Sequence, residues 1–265
     1  MSTADILVLG AIAGLTIFLG LPLGRVRNVS PTMRASLSAL ATGILVFLFW
    51  DVMSNGVDPI EANIRAHSWW AFAGEAALLA GGFAAGFLSL VYYDAWMHGA
   101  SARAGETSWL RSLSPGHRLA VLIATGIGLH NFGEGLAIGQ SAAAGELSLA
   151  LVLIIGFGLH NATEGFGIVG PLTAEAELPS WGFLVAMGLI GGGPTFLGTV
   201  VGQAWVSDAL GVVFFAAAGG SILYVVIQLL DVCKRFELPK LVAWMVMLGM
   251  LLGFATDWVL VAAGA

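Results

Sequence analysis

Two stretches of the chain carry the same set of reactive side chains. Residues 126–135 read GIGLHNFGEG and residues 156–165 read GFGLHNATEG. His130, Asn131 and Glu134 in the first thus correspond to His160, Asn161 and Glu164 in the second, thirty residues on. On a helix, residues four apart share a face, which stacks His130 on Glu134 and His160 on Glu164, with each Asn beside that face. Imidazole nitrogen and carboxylate oxygen together form a ligand set for Zn2+, Fe2+, Mn2+ and similar divalent ions. Glu134 and Glu164, facing each other, could also bridge two ions. Structural hydrogen bonding would account for one such pair. Two copies at matching depth are expected to be ligands. The glycines before them, Gly126, Gly128, Gly156 and Gly158, are expected to let the two helices come close enough for the ligands to converge.

The elements that must hold these residues follow from composition. The chain has 265 residues, 58% hydrophobic and only 10% charged, with a mean hydropathy of +0.92. A soluble domain carries about a quarter charged residues, so an ordinary soluble enzyme and a disordered regulator are both excluded. Nucleic acid is excluded as a partner, because no basic stripe is present. A single cysteine, Cys233, allows neither an intrachain disulfide nor a cysteine-based zinc motif. Stretches of about 20 apolar residues cross a bilayer as helices, and eight occur: 6–24, 35–53, 69–93, 119–142, 147–172, 181–203, 209–230 and 241–262. They are too long and too uniformly apolar for barrel strands. The expected fold is all-α, one integral bundle of eight transmembrane helices spanning 1–265. The link 94–118 is expected to be a mobile loop, and Pro59 and Pro179 to mark turns in the links 55–68 and 173–180. At such depth a charged side chain costs about 2.5–3.5 kcal/mol on insertion scales, so Glu134 and Glu164 call for a cationic partner.

Nine of the ten Lys and Arg residues fall on odd-numbered links: Arg25, Arg27 and Arg34; Arg103, Arg111 and Arg118; Lys234, Arg235 and Lys240. Only Arg65 falls on an even one. The positive-inside rule then places the odd links in the cytoplasm and both termini outside, as for a bacterial inner-membrane protein. The N-terminus has no basic run before its first apolar stretch, so that span is expected to be retained.

At HNFGEG (130–135) and HNATEG (160–165) the sequence resembles the ZIP family (Zrt-, Irt-like proteins) of divalent-metal transporters, which carries HN-x-P-E-G signatures on its fourth and fifth helices. FLFWDVMSNG (47–56), with its acidic Asp51, Gly170-Pro171-Leu172 and AAGGSILYVVIQLL (217–230) extend the likeness. The resemblance implies eight spans with both termini outside and passage of metal across the membrane. Three departures stand out. Gly133 and Thr163 replace the signature prolines. Gly193, before Pro194, stands where a sixth-helix Glu completes a second metal site. Gln228 occupies a place that is often acidic. One strong site from His130, Glu134, His160 and Glu164 is therefore expected, with Asn131 and Asn161 serving a weaker second site that shares the glutamates.

The leading expectation is a transporter, not an enzyme, moving a divalent ion into the cytoplasm, Zn2+ first and Fe2+, Mn2+, Co2+ or Cd2+ as alternatives. Asp51 and Glu75, toward the outer ends of their spans, are candidates for an acidic admission route, and Gln228 and Asp231 for release. Asp257 has no evident partner. The competing readings are an intramembrane metal-dependent hydrolase, for which H-E-x-x-H is absent, and a metal-binding membrane protein that does not transport. Beyond the lipid bilayer and the ion, a homodimer is the remaining partner to consider, since the glycine-rich third span (Gly81, Gly82, Gly86) and sixth span can pack internally or against a second copy.

Overall fold

The computed structural model describes residues 3–26, 30–103, 113–143, 147–175, 177–204 and 208–263. Every regular element among them is helical. The eight α-helices are α1 (Thr3–Leu15), α2 (Pro31–Arg65), α3 (Trp69–Arg103), α4 (Pro115–Ala143), α5 (Leu147–Val169), α6 (Trp181–Ala204), α7 (Asp208–Lys234) and α8 (Pro239–Ala263). Short 3-10 turns follow α1 (Thr16–Leu19, Leu21–Arg25) and α5 (Pro171–Ala174). Among the described residues seven helical segments are long and apolar enough to cross a membrane, including α1 with its 3-10 extension, Thr3–Arg25. The remaining long helix, α5, has 23 residues. The chain thus has the build of an integral membrane protein.

Local chemistry explains the helix starts. Ser30 and Ser114 each precede a proline, and each side-chain oxygen accepts a hydrogen bond from the backbone N–H three residues on, of Met33 and His117, at 3.2 Å. Ser180 does the same for Phe183 at 3.1 Å. This is N-capping, with Pro favoured in the first helical position. Two tight reversals, α2 to α3 and α7 to α8, pass through left-handed residues, His67 (φ 55) and Glu237 (φ 56).

Three boundaries differ from the sequence expectation. Helix α2 does not stop near Met53; Pro59 lies inside it. A proline removes one backbone hydrogen bond without necessarily ending a helix, and the extension is tied to α3 by a 2.7 Å hydrogen bond from Asn63 Nδ2 to Glu75 Oε2. Helix α3 runs on to Arg103 through residues expected to be loop. Those residues, DAWMHGASAR, contain no proline and three alanines, and alanine is the strongest helix former. The first span switches from α to 3-10 geometry at Thr16, and at Gly20, between its two 3-10 turns, a Cβ would sit 2.6 Å from the carbonyl oxygen of Ala162.

The helices sort into two groups of four. Helices α4 and α6 pack most extensively, and α1 and α5 join them; α3 packs on α7, and α2 on both α7 and α8. Glycines set the spacing within each group. A side chain at Gly135 or Gly198 would run into the backbone of the facing helix, at Thr195 and Phe132; one at Gly14 or Gly192 would collide with the other's backbone. Gly43 and Gly249 (α2 with α8) and Gly86 and Gly220 (α3 with α7) do the same in the second group. Between the groups the largest contact is α4 against α7. Its glycines meet side chains instead: Gly126 faces Val225 at 3.2 Å and Gly133 faces the Phe215 ring at 3.4 Å.

Candidate metal centre

Of the repeated residues, His130, Asn131, Glu134, Asn161 and Glu164 are buried. His130 sits midway along α4, and His130, Glu134 and Glu164 are 3%, 4% and 2% exposed. In the first repeat the i, i+4 stacking holds: His130 Nε2 is 3.1 Å from Glu134 Oε1. The same nitrogen is 3.9 Å from Glu164 Oε1 on α5, so one imidazole stands between the two glutamates. Asn131 completes the link between the repeats, donating from Nδ2 to Glu164 Oε2 and to the Gly191 carbonyl of α6, both at 3.0 Å. His160 lies in the helical backbone of α5, and its side chain is outside the described residues. Among the described residues no three His, Cys, Asp or Glu side chains are gathered into a metal-holding cluster.

The two asparagines diverge. Asn161, fully buried, donates to the Ala13 carbonyl of α1 at 3.0 Å, whereas Asn131 turns to Glu164 and α6. Oxygen atoms are left over among these buried residues and on Thr195 of α6. Glu134 Oε2, Asn131 Oδ1, Asn161 Oδ1 and Thr195 Oγ1 are buried without a hydrogen-bond partner. Buried polar atoms are nearly always paired. Three of these four are pure acceptors when Glu134 is ionised, which is the donor chemistry a divalent cation takes up.

The glycines act differently from the expectation. Gly126 faces α7, Gly128 faces the Ile190 carbonyl of α6, and Gly158 faces Thr16, 3.5 Å away. Gly156 has no such contact described. Gly128 is two residues from His130 and so points away from the ligand face. These glycines therefore admit third elements to the repeats, and the repeats meet through side chains.

Asp51 is not at the end of its helix: α2 continues fourteen residues beyond it. It lies within electrostatic range of His130 and Glu134 on α4 and of Asp257 on α8. Asp257, which had no evident partner, thus gains a neighbour through tertiary packing between α2 and α8. Glu75 is engaged by Asn63 and stays apart from the centre. Gln228 and Asp231 line a cavity at one end of the bundle, with Gln228 Nε2 donating to the Tyr224 hydroxyl at 2.9 Å. At Gly193, where a sixth-helix carboxylate was in question, a Cβ would meet no atom within 4 Å.

No family model and no curated protein matches this chain.

Proposed function

We propose that this protein is a divalent transition-metal transporter of ZIP-like type, and that zinc or a similar ion binds between α4 and α5. The observation that carries the reading is the pair of repeats meeting at one place. A buried imidazole stands 3.1 and 3.9 Å from two buried carboxylates, and neighbouring buried oxygens lack hydrogen-bond donors. A bare pair of carboxylates in this setting is costly, and a divalent cation offsets that cost. His130, Glu134 and Glu164 would be ligands together with His160. Asn131 orients Glu164, as partners behind the ligands do in metal sites.

Asp51, within electrostatic range of Asp257 and the centre, would guide the ion in. The cavity bearing Gln228 and Asp231 would receive it on the far side. The odd-numbered links gather at that end, since the cavity joins residues of links three, five and seven and Arg25 donates to the Pro179 carbonyl. With nine of ten cations on these links, that end is read as cytoplasmic, and transport as inward. Alternating access would move the two four-helix groups against each other across the α4–α7 contact.

The test is zinc uptake by proteoliposomes. Saturable uptake is expected, with a loss of at least tenfold in the His130→Ala, Glu134→Ala double variant. Undiminished uptake by that variant would show that the site is wrong, and no flux from the unmodified protein would show that transport is wrong.

A further inference from the structure

A cavity of about 310 Å3 opens where α3, α4 and α7 meet the turn after α5. Three carboxylates line it, Asp94, Glu175 and Asp231, and two guanidinium groups, Arg118 and Arg235. The carboxylates are all engaged. Asp94 accepts from the Tyr224 hydroxyl at 2.8 Å, Glu175 accepts from the backbone N–H of Gly116 at 2.7 Å, and Asp231 pairs with Lys234 at 2.9 Å. The guanidinium groups make no such close contact, although the charge of Arg235 acts on Asp231 from beyond ion-pair distance. Among the described residues neither Arg118 nor Arg235 has an ion-pair partner within 4 Å, and Arg118 Nε is buried without a hydrogen-bond partner.

A guanidinium group keeps its charge and presents five donors in a planar fork that matches a phosphate or carboxylate. The bonding capacity left over in this cavity is therefore cationic and donor. The first turn of α4 forms part of the wall and already draws the Glu175 carboxylate to its N–H groups, as helix N-termini draw anions.

We propose that this cavity is a phosphate-binding site, holding one phosphate group between Arg118 and Arg235. Free phosphate and the headgroup of an anionic phospholipid present the same chemistry, and the cavity lies at helix ends, where headgroups lie. The cavity is the one read above as the place of metal release, but the proposal does not rest on that reading: it uses none of the midplane residues.

The experiment takes the full-length protein in nanodiscs of phosphatidylcholine, free of added metal. In one arm inorganic phosphate is titrated and the shift in thermal midpoint is read against chloride at equal ionic strength. In the other, phosphatidic acid is added to the nanodiscs and its retention is read by native mass spectrometry. Saturable binding is expected in at least one arm, and the responding arm identifies the source. Arg118→Gln and Arg235→Gln are each expected to weaken it at least tenfold, and Arg65→Gln, on an even-numbered link, to leave it unchanged. If Arg118→Gln does not fold, Arg235→Gln, at an exposed side chain, decides alone. Absence of saturable binding in both arms, or binding that survives Arg235→Gln unchanged, overturns the proposal.

Discussion

Asn131 and Asn161 occupy the same place in the same repeat, yet they serve different neighbours. Asn131 ties Glu164 to the Gly191 carbonyl, and Asn161 anchors α1 through Ala13. Their substitutions should separate accordingly. Asn131→Ala is expected to lower zinc affinity by about 10–100-fold, the usual cost of losing a partner behind a ligand. Asn161→Ala is expected to cost about 0.5–1.5 kcal/mol of stability, the net worth of one hydrogen bond, since the Ala13 carbonyl keeps the Thr16 hydroxyl as a donor, with a smaller effect on zinc. Calorimetric zinc titration and thermal unfolding of the two variants check this; equal effects on affinity would refute the distinction. The stacking of His130 on Glu134 was legible in the sequence because i, i+4 stacking is local. The divergence of the asparagines was not, since it depends on which helix packs on each side. The approach of Asp51 to His130 and to Asp257 was hidden for the same reason: it joins α2, α4 and α8, which are distant in sequence.

At the level of elements, the glycines divide into those that fix helix spacing and those that do not. A side chain at Gly198 collides with the Phe132 carbonyl, while one at Gly193 meets nothing within 4 Å. Gly198→Val should therefore destabilise the protein by about 1–3 kcal/mol or more, the cost of overpacking, and Gly193→Val should leave its thermal midpoint close to that of the unmodified protein. Comparable loss at both positions would mean that helix spacing is not set by these contacts. Sequence alone marked the apolar stretches but not the starts that Ser30-Pro31 and Ser114-Pro115 cap. It missed the far ends of α2 and α3. Polar residues and Pro59 look like punctuation in the chain, but the Asn63–Glu75 and Asp94–Tyr224 hydrogen bonds tie those polar extensions to neighbouring helices. It also gave the glycines around the repeats the wrong partner, because periodicity says which face a residue occupies and not which helix lies there.

Over the whole molecule, glycine contacts hold α1, α4, α5 and α6 together and α2, α3, α7 and α8 together, whereas the nearest atoms of α7 to Gly126 and Gly133 of α4 belong to side chains. Such a division suits two bodies that move against each other, as hinge and shear transitions require. A cross-link between the groups should stop transport, and one within a group should not. In a Cys233→Ala background, the pair Gly126→Cys with Val225→Cys bridges α4 to α7, and Gly10→Cys with Thr199→Cys bridges α1 to α6. Oxidation is expected to abolish zinc uptake in the first and spare it in the second; uptake that persists in the oxidised first pair would contradict motion at that contact. All of this depends on the two repeats forming one metal site. X-ray absorption at the zinc edge of the purified, zinc-loaded protein tests that claim most directly. The prediction is a nitrogen and oxygen shell at about 2.0–2.2 Å with imidazole scattering, which disappears together with bound zinc when His130 and His160 are both replaced by alanine. Zinc bound in the same amount with an unchanged spectrum in that double variant would contradict it.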